Sequence, residues 1–159
     1  MKALWAPWRM EYIVSRKGKD CILCVGPAMQ NDRDNLVLYR GRKVFVMMNK
    51  YPYNNGHLMV VPYAHESSLT GLDDETRLEL INTVSRAVEC LGIFHPEGFN
   101  IGLNLGKAGG AGIEEHVHIH IVPRWVGDTN FMTVSGETRV IPEHILDTYD
   151  KLCPVFNQS

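Results

Sequence analysis

The sequence predicts an α+β fold, built from a mainly antiparallel sheet and one long helix. Three features carry this prediction. Histidines alternate with β-branched residues in one segment, short apolar runs elsewhere are separated by turn-forming residues, and one stretch repeats apolar residues at helical spacing.

The alternating segment is the clearest of the three. His116, His118 and His120 are separated by single β-branched residues. In a β-strand, side chains two positions apart lie on the same face. The segment is therefore predicted to be a strand with three imidazoles on one face and a core-packing surface on the other.

The other predicted strands are short and are bounded by turn formers. We expect a hairpin of residues 35–39 and 44–48, a loop at 49–56, a strand at 57–62 and another at 99–105.

The long helix is predicted to begin at Asp73 or Asp74, which can cap it, and to end near Gly92 as a C-cap, before Pro96. Its expected buried stripe is Leu78, Ile81, Val84, Val88 and Leu91. A short terminal helix is predicted over residues 142–152.

Length and composition indicate a single domain over residues 1–159, with an aromatic N-terminal arm at 1–20 and a C-terminal extension at 126–159. Trp5 and Trp8 in the arm are expected to pack on the domain or on a second subunit.

The net charge of −2 gives no reason to expect nucleic acid or an anionic membrane as a partner. No long apolar stretch and no signal-peptide core are visible, so we expect a cytoplasmic protein.

The cysteines include one C-x-x-C pair. In a reducing compartment, Cys21 and Cys24 indicate a metal site or a redox pair rather than a structural disulfide. Cys90 falls in the helical pattern and is expected to be a small buried hydrophobe.

The histidine row allows three interpretations. The imidazoles could be hydrogen-bonded side chains on a wet sheet face. They could form a three-histidine catalytic zinc site. A central histidine could instead be a nucleophile whose neighbours set its tautomer and charge.

A glycine-rich turn at 107–112 directly precedes the row and favours the third interpretation. Successive backbone N–H groups in such turns bind anions, and missing Cβ atoms let a phosphate approach closely. Lys107 could add a positive charge. This arrangement favours phosphoryl or nucleotidyl transfer.

Taken together, these residues resemble the histidine-triad (HIT) family of nucleotide hydrolases and transferases. The resemblance centres on the segment from His116 to Val122 with its glycine turn and Pro123-Arg124. The other matching segments are Cys21-x-x-Cys24, Asn49, Gly56 to Pro62, His65 and Asn100-Ile-Gly-Leu-Asn104. The arm around Trp5 and Trp8 and the tail from Pro123 to Phe131 are similar to one branch, the bacterial diadenosine tetraphosphate phosphorylases.

The resemblance implies a role for each matching residue. His118 would attack the α-phosphorus and form a nucleotidyl-imidazole intermediate, with its other nitrogen bonded to a carbonyl of the triad strand. His120 and His57 would line the phosphate pocket. The implied substrate contacts are Asn104 and the amides of Gly112 and Ile113 for phosphate oxygens, Asn49 for a ribose, and Phe45 with Met47 or Met48 for a nucleobase.

The resemblance also implies a structural zinc ion. Its ligands would be Cys21, Cys24, His65 and His116, a closed tetrahedral set of two thiolates and two imidazoles. A pair of packed thiols without metal is the alternative. No organic cofactor is expected.

The resemblance also implies a HIT-like fold with a five-stranded sheet, and a homodimer. The similarity to the phosphorylase branch favours a reaction in which diadenosine tetraphosphate is cleaved by phosphate to give ADP and ATP. A hydrolase of dinucleoside polyphosphates or an adenosine phosphoramidase is the alternative enzyme. A nucleotide-binding zinc module without activity is the non-enzymatic alternative.

Overall fold

The computed structural model describes residues 21–28, 30–128 and 141–158. The predicted N-terminal arm, with Trp5 and Trp8, and part of the predicted C-terminal extension lie outside the described residues. Within the described ranges, every helix is too short or too polar to span a bilayer.

One sheet of five antiparallel strands forms the framework. In chain order the strands are β1 (Val37–Arg40), β2 (Val44–Met48), β3 (Leu58–Pro62), β4 (Gly98–Gly102) and β5 (Ile119–Arg124). Their spatial order is β1-β2-β3-β5-β4, so β5 is inserted between β3 and β4. The predicted hairpin is confirmed as β1 and β2, and the predicted five-stranded sheet is confirmed as well.

Three α-helices of the described residues accompany the sheet: α1 (Ile22–Ala28), α2 (Asp74–Leu91) and α3 (Ile145–Asn157). The predicted long helix is α2, and its cap is Asp73, whose side chain accepts a hydrogen bond from the Thr76 amide at 2.7 Å. The terminal helix is confirmed but begins and ends later than expected. Helix α1 was not predicted from the sequence, because glycine and proline within it obscure its helical character.

The buried stripe of α2 differs from the predicted one. Its buried residues are Thr76, Leu80, Thr83, Val84, Ala87, Cys90 and Leu91. Leu78 and Ile81 are 64% and 57% exposed, so the prediction was wrong for these two residues. Threonine and alanine let the helix lie close to the sheet, whereas the two larger side chains are on its outer side. Cys90 is buried as expected.

The end of α2 also departs from the prediction. Gly92 is the C-cap but has a right-handed backbone (φ −54°), and the chain continues into a 3-10 turn, Gly92–Phe94. The left-handed residue that ends this turn is His95, with φ 50°. Pro96 follows, as expected for a point at which a helix cannot continue.

Both faces of the sheet are packed. The main core lies between one face and the helices α2 and α3, and the triad segment contributes Val117, Ile119 and Ile121 to it. On the other face, Leu23 of α1 packs with Phe45 and other sheet residues in a smaller cluster. The predicted alternation of faces around the triad is therefore confirmed, but the strand itself begins only at Ile119, so the prediction that it also contains His116 and His118 was wrong.

One glycine has a structural requirement next to the site. Gly56 has φ +72°, a conformation that side-chain-bearing residues rarely adopt, and a Cβ there would lie 3.2 Å from Leu91 Cδ2. This glycine lets the 49–56 loop turn tightly into His57 and β3.

Candidate active site

The central triad histidine is held in one tautomer by a backbone carbonyl of the triad segment. His118 is 7% exposed, and its Nδ1 lies 2.8 Å from the carbonyl oxygen of His116. A carbonyl can only accept, so Nδ1 carries the proton and Nε2 retains its lone pair. This is the protonation state that a nucleophilic imidazole needs.

The other two site histidines form a chain that begins at a backbone amide. The Tyr53 N–H donates to Nδ1 of His57 at 3.0 Å, so the proton of neutral His57 is on Nε2. That Nε2–H donates to Nδ1 of His120 at 2.9 Å. The proton of His120 is therefore on its own Nε2, where it can be donated to a ligand.

Burial keeps all three rings neutral. Together with the charges of neighbouring histidines, it lowers the pKa of His57 to about 3 and that of His120 to about 4. Burial also lowers the pKa of His118, although the His116 carbonyl opposes the shift. At neutral pH, the site thus presents one lone pair, on His118, and one N–H donor, on His120.

Tyr53 also covers the pair with its ring. The ring centroid lies 4.5 Å from that of His57 and 5.8 Å from that of His120. The sequence analysis placed Tyr53 only in a turn-rich loop. No residue-type signal identifies it, because its decisive hydrogen bond comes from a backbone amide.

The strand register arranges the floor of the site. Met47 of β2 pairs with Met59 of β3, Met59 pairs with His120, and His120 pairs with Gly102 of β4. These residues form one row across a single face of the sheet. Asn104, two residues beyond Gly102, lies on the side of His118 because β4 and β5 are antiparallel.

The glycine turn folds back on itself beside this row. Gly106 and Gly110 have φ values of +68° and +81°, and the Ala111 amide bonds to the Gly106 carbonyl at 3.2 Å. Asn104 Nδ2 reaches the Gly110 carbonyl at 3.5 Å, which ties the turn to the end of β4. Lys107 and Gly112 are exposed, and Ile113 is half-buried. The turn is thus compact and largely exposed, and its role as an anion cradle stays a prediction.

The remaining predicted substrate contacts occupy different environments. Asn49 is half-buried, and its Oδ1 accepts a hydrogen bond from the Tyr51 amide at 2.9 Å. Phe45 has no exposed surface and packs in the cluster below α1. Met48 is also buried, on the opposite face, with the main core. Met47 is therefore the member of the predicted nucleobase set with accessible surface, and it packs against the Phe45 cluster.

A cluster of cysteine and histidine side chains lies next to the triad and includes its first histidine. One ligand atom from each of Cys21, Cys24, His65 and His116 falls within 4.8 Å of the others. The Cys21 and Cys24 sulfurs each lie 3.4 Å from His116 Nδ1, and Cys24 Sγ lies 3.3 Å from His65 Nδ1. Zn–S and Zn–N bonds of about 2.3 and 2.0 Å in a tetrahedron would place sulfur and nitrogen about 3.5 Å apart. The four residues could therefore hold a metal ion.

His116 is oriented for this role by a backbone partner. Its Nε2–H donates to the Pro62 carbonyl at 2.8 Å, which leaves the Nδ1 lone pair facing the two sulfurs. Burial and the neighbouring Cys21 raise the pKa of the Cys24 thiol in the absence of metal. The predicted metal ligands are thus brought together, at one edge of the triad.

Comparison with known proteins decides the family. The model of the HIT domain matches residues 30–126, more than half of the chain. The chain belongs to the HIT family. It is 41% identical over 157 residues to the AP-4-A phosphorylase of Mycobacterium tuberculosis, covering 93% of this chain and 80% of that protein. This similarity confirms the predicted branch of the HIT family.

More distant relatives and solved structures agree on the fold. An uncharacterized HIT-like protein of Methanocaldococcus jannaschii is 32% identical over 68% of this chain and 81% of its own length. A Zn-bound histidine triad family protein from Mycobacterium smegmatis superposes with a TM-score of 0.69 at 24% identity, over 87% of this chain and 94% of that one. A hypothetical histidine triad nucleotide-binding protein from Sulfolobus tokodaii gives 0.62 at 26% identity, over 87% and 90%. The HIT-like α+β fold predicted from the sequence is confirmed.

Proposed function

We propose that this HIT-family enzyme transfers a nucleotidyl group from a dinucleoside polyphosphate to orthophosphate, converting diadenosine tetraphosphate and phosphate to ADP and ATP. The single observation that carries the proposal is the Nδ1–H bond of His118 to the His116 carbonyl, which leaves a buried, neutral Nε2 as nucleophile. The 41% identity to an AP-4-A phosphorylase supports the choice of substrate and acceptor.

In the first step, His118 Nε2 attacks the α-phosphorus. A P–N bond forms, the bond from that phosphorus to the bridging oxygen breaks, and ATP leaves. The positive charge that develops on the imidazole is stabilised by the His116 carbonyl through Nδ1–H. His120 donates its Nε2–H to a phosphate oxygen, and Asn104 with the glycine-turn amides holds the nonbridging oxygens.

In the second step, an oxygen of orthophosphate attacks the same phosphorus. The P–N bond breaks, and its electron pair returns to His118 Nε2. ADP is then released. The histidine is then neutral and in its starting tautomer. Water in place of phosphate would give AMP, which is the hydrolase alternative, and a phosphoramidate substrate would use the same nucleophile.

We also propose that the four-residue cluster holds a structural zinc ion. Two thiolates and two imidazoles at these separations fit a closed tetrahedral site, and the Pro62 carbonyl fixes the His116 ring. When bound, the ion supplies a crosslink between α1, the end of β3 and the triad segment. His118 is not a member of the cluster, so the metal would not take part in the chemistry.

The assembly that we propose is a homodimer through β4. This strand is at one end of the sheet, and its described residues from 100 to 102 are exposed, including Ile101 at 49%. The opposite end is covered, because Tyr149 and Asn157 of α3 bond to the Val37 and Leu38 carbonyls of β1. An exposed edge strand with an apolar side chain is suited to pair with a second copy.

The reaction is tested by identifying the products from diadenosine tetraphosphate, with and without orthophosphate, and with a His118→Ala control. We expect ADP plus ATP in the presence of phosphate only, and at least a thousandfold loss in the variant (about 10³ or more). AMP plus ATP regardless of phosphate would identify a hydrolase. Nucleotide binding with no turnover by the unmodified protein would identify a binding module.

A further inference from the structure

The segment after the triad strand folds into a turn that returns a carboxylate to the strand end. The Asp128 amide donates to the Trp125 carbonyl at 3.0 Å, and Gly127 at the turn has φ +86°. The Asp128 carboxylate accepts two bonds from the Arg124 guanidinium, each at 2.7 Å, and its side chain is only 11% exposed. The site described above does not use this arrangement.

The same carboxylate reaches into the loop before His57. Asn54, 7% exposed, donates its side-chain amide to Asp128 Oδ2 at 2.8 Å and to the Pro123 carbonyl at 3.1 Å. Its side-chain oxygen accepts from the Asn55 amide at 3.1 Å. Both amide protons of Asn54 are therefore used to attach the loop to a segment more than sixty residues later in the chain.

Asn54 is adjacent to the amide that controls the histidine chain. Its own carbonyl accepts from the His57 N–H at 3.2 Å. Its neighbour Tyr53 donates to His57 Nδ1. The contacts thus run without interruption from Asp128 through Asn54 and Tyr53 to His57, and from His57 to His120.

We propose that Asn54 and Asp128 are positioning residues, which hold the Tyr53 amide against His57 and so keep the proton of His120 on Nε2. Neutral imidazole has two tautomers, and in a buried ring the available partner decides between them. If the Tyr53 amide moves away, His57 can place its proton on Nδ1 and accept at Nε2. His120 would then donate to His57 and present a lone pair, instead of a proton, to the ligand. The benefit to catalysis rests on the proposed function, whereas the tautomers themselves do not.

The tautomers can be measured in the ligand-free protein. Nitrogen-15 chemical shifts of the imidazoles distinguish protonated from unprotonated ring nitrogens, and single histidine substitutions assign the signals. The test compares the unmodified protein with Asn54→Ala, Asp128→Ala and the double variant. The matched control is Asp150→Ala, since Asp150 also accepts two bonds from one arginine, Arg33, each at 2.9 Å, but on the exposed surface.

In the unmodified protein and the control, we expect His57 and His120 each to be protonated on Nε2 alone. In both single variants the two rings should become tautomer mixtures, and the double variant should resemble either single one, because the two residues act through one contact. With dinucleotide and phosphate, kcat should fall about tenfold or more while KM changes little.

A lower melting temperature with unchanged imidazole shifts in both single variants would overturn the proposal and leave the pair with a role in folding only. If Asn54→Ala does not fold, Asp128→Ala decides alone. The shifts answer the question even if the protein has no phosphorolytic activity, so failure of this inference is distinct from failure of the proposed function.

Discussion

At the scale of single residues, the site is governed by which ring nitrogen carries a proton. The tautomer of His118 is fixed by the carbonyl of His116. The tautomer of His120 is fixed through His57 by the backbone amide of Tyr53, in the loop before β3. The sequence could predict that three imidazoles share a face, because alternation along a strand requires it. It could not predict their tautomers, because backbone groups donate and accept without regard to residue type.

A prediction at this scale concerns pH. Burial lowers the pKa values of His57 and His120 to about 3 and about 4, below the usual 6.5, so both remain neutral as pH falls through 6.5. We expect kcat/KM for the dinucleotide, at saturating phosphate, to lose half of its value only below pH 6.5. His144→Gln, a change at an exposed site, should leave the profile unmoved. An acid limb centred at or above pH 6.5 would contradict the account.

At the scale of elements, α2 shows what periodicity can and cannot supply. The apolar spacing located the helix, but apolar residues lie on more than one side of it. The pattern therefore did not distinguish Leu78 from Leu80. Packing against the sheet selected the side with threonine and alanine, a choice that depends on close approach rather than on hydrophobicity. For α1, the C-x-x-C motif predicted the ligands but not the helix.

Two leucines of α2, Leu78 and Leu80, give a direct comparison. Leu80→Ala removes a side chain that is 1% exposed in the main core, and should lower the free energy of unfolding by about 2–5 kcal/mol. Leu78→Ala, at a position that is 64% exposed, should change it by less than about 0.5 kcal/mol. Urea denaturation of both variants checks this. Equal losses would mean that the assigned face of α2 is wrong.

The metal cluster is tested at the junction of α1 with the triad segment. Elemental analysis of the purified protein should find one zinc ion per chain. Cys24→Ser should remove the ion and lower the melting temperature, because α1 loses its crosslink. Cys153→Ser, on α3 and distant in sequence from the cluster, is the control and should retain the metal. A protein free of zinc, with a melting temperature that chelator does not change, would refute the site.

At the scale of the whole molecule, the order of strands explains how distant segments meet. Insertion of β5 between β3 and β4 places the triad beside His57 on one side and Gly102 on the other. The short strands readable in the sequence could indicate an antiparallel sheet but not this order. The long-range contact of Asn54 with Asp128 follows from the same topology, so it too was invisible before the fold was known.

The proposed dimer has a test at this scale. Ile101→Glu places a charge on the exposed edge strand and should shift the protein from dimer to monomer in analytical ultracentrifugation. Ile22→Glu is a matched control, since Ile22 is equally exposed at 49% but lies on α1, over the other strands. An unmodified protein that sediments as a monomer, or a dimer insensitive to the β4 change, would contradict the proposed interface.

The central claim is that His118 becomes covalently bound to the nucleotide. The direct measurement is rapid acid-free quenching of enzyme mixed with diadenosine tetraphosphate in the absence of phosphate, followed by mass spectrometry of the proteolytic peptides. We expect the added mass of one AMP on the peptide that contains His118, localised to that residue and discharged as ADP when phosphate is supplied. Turnover without any adduct, or an adduct on a different residue, would contradict it.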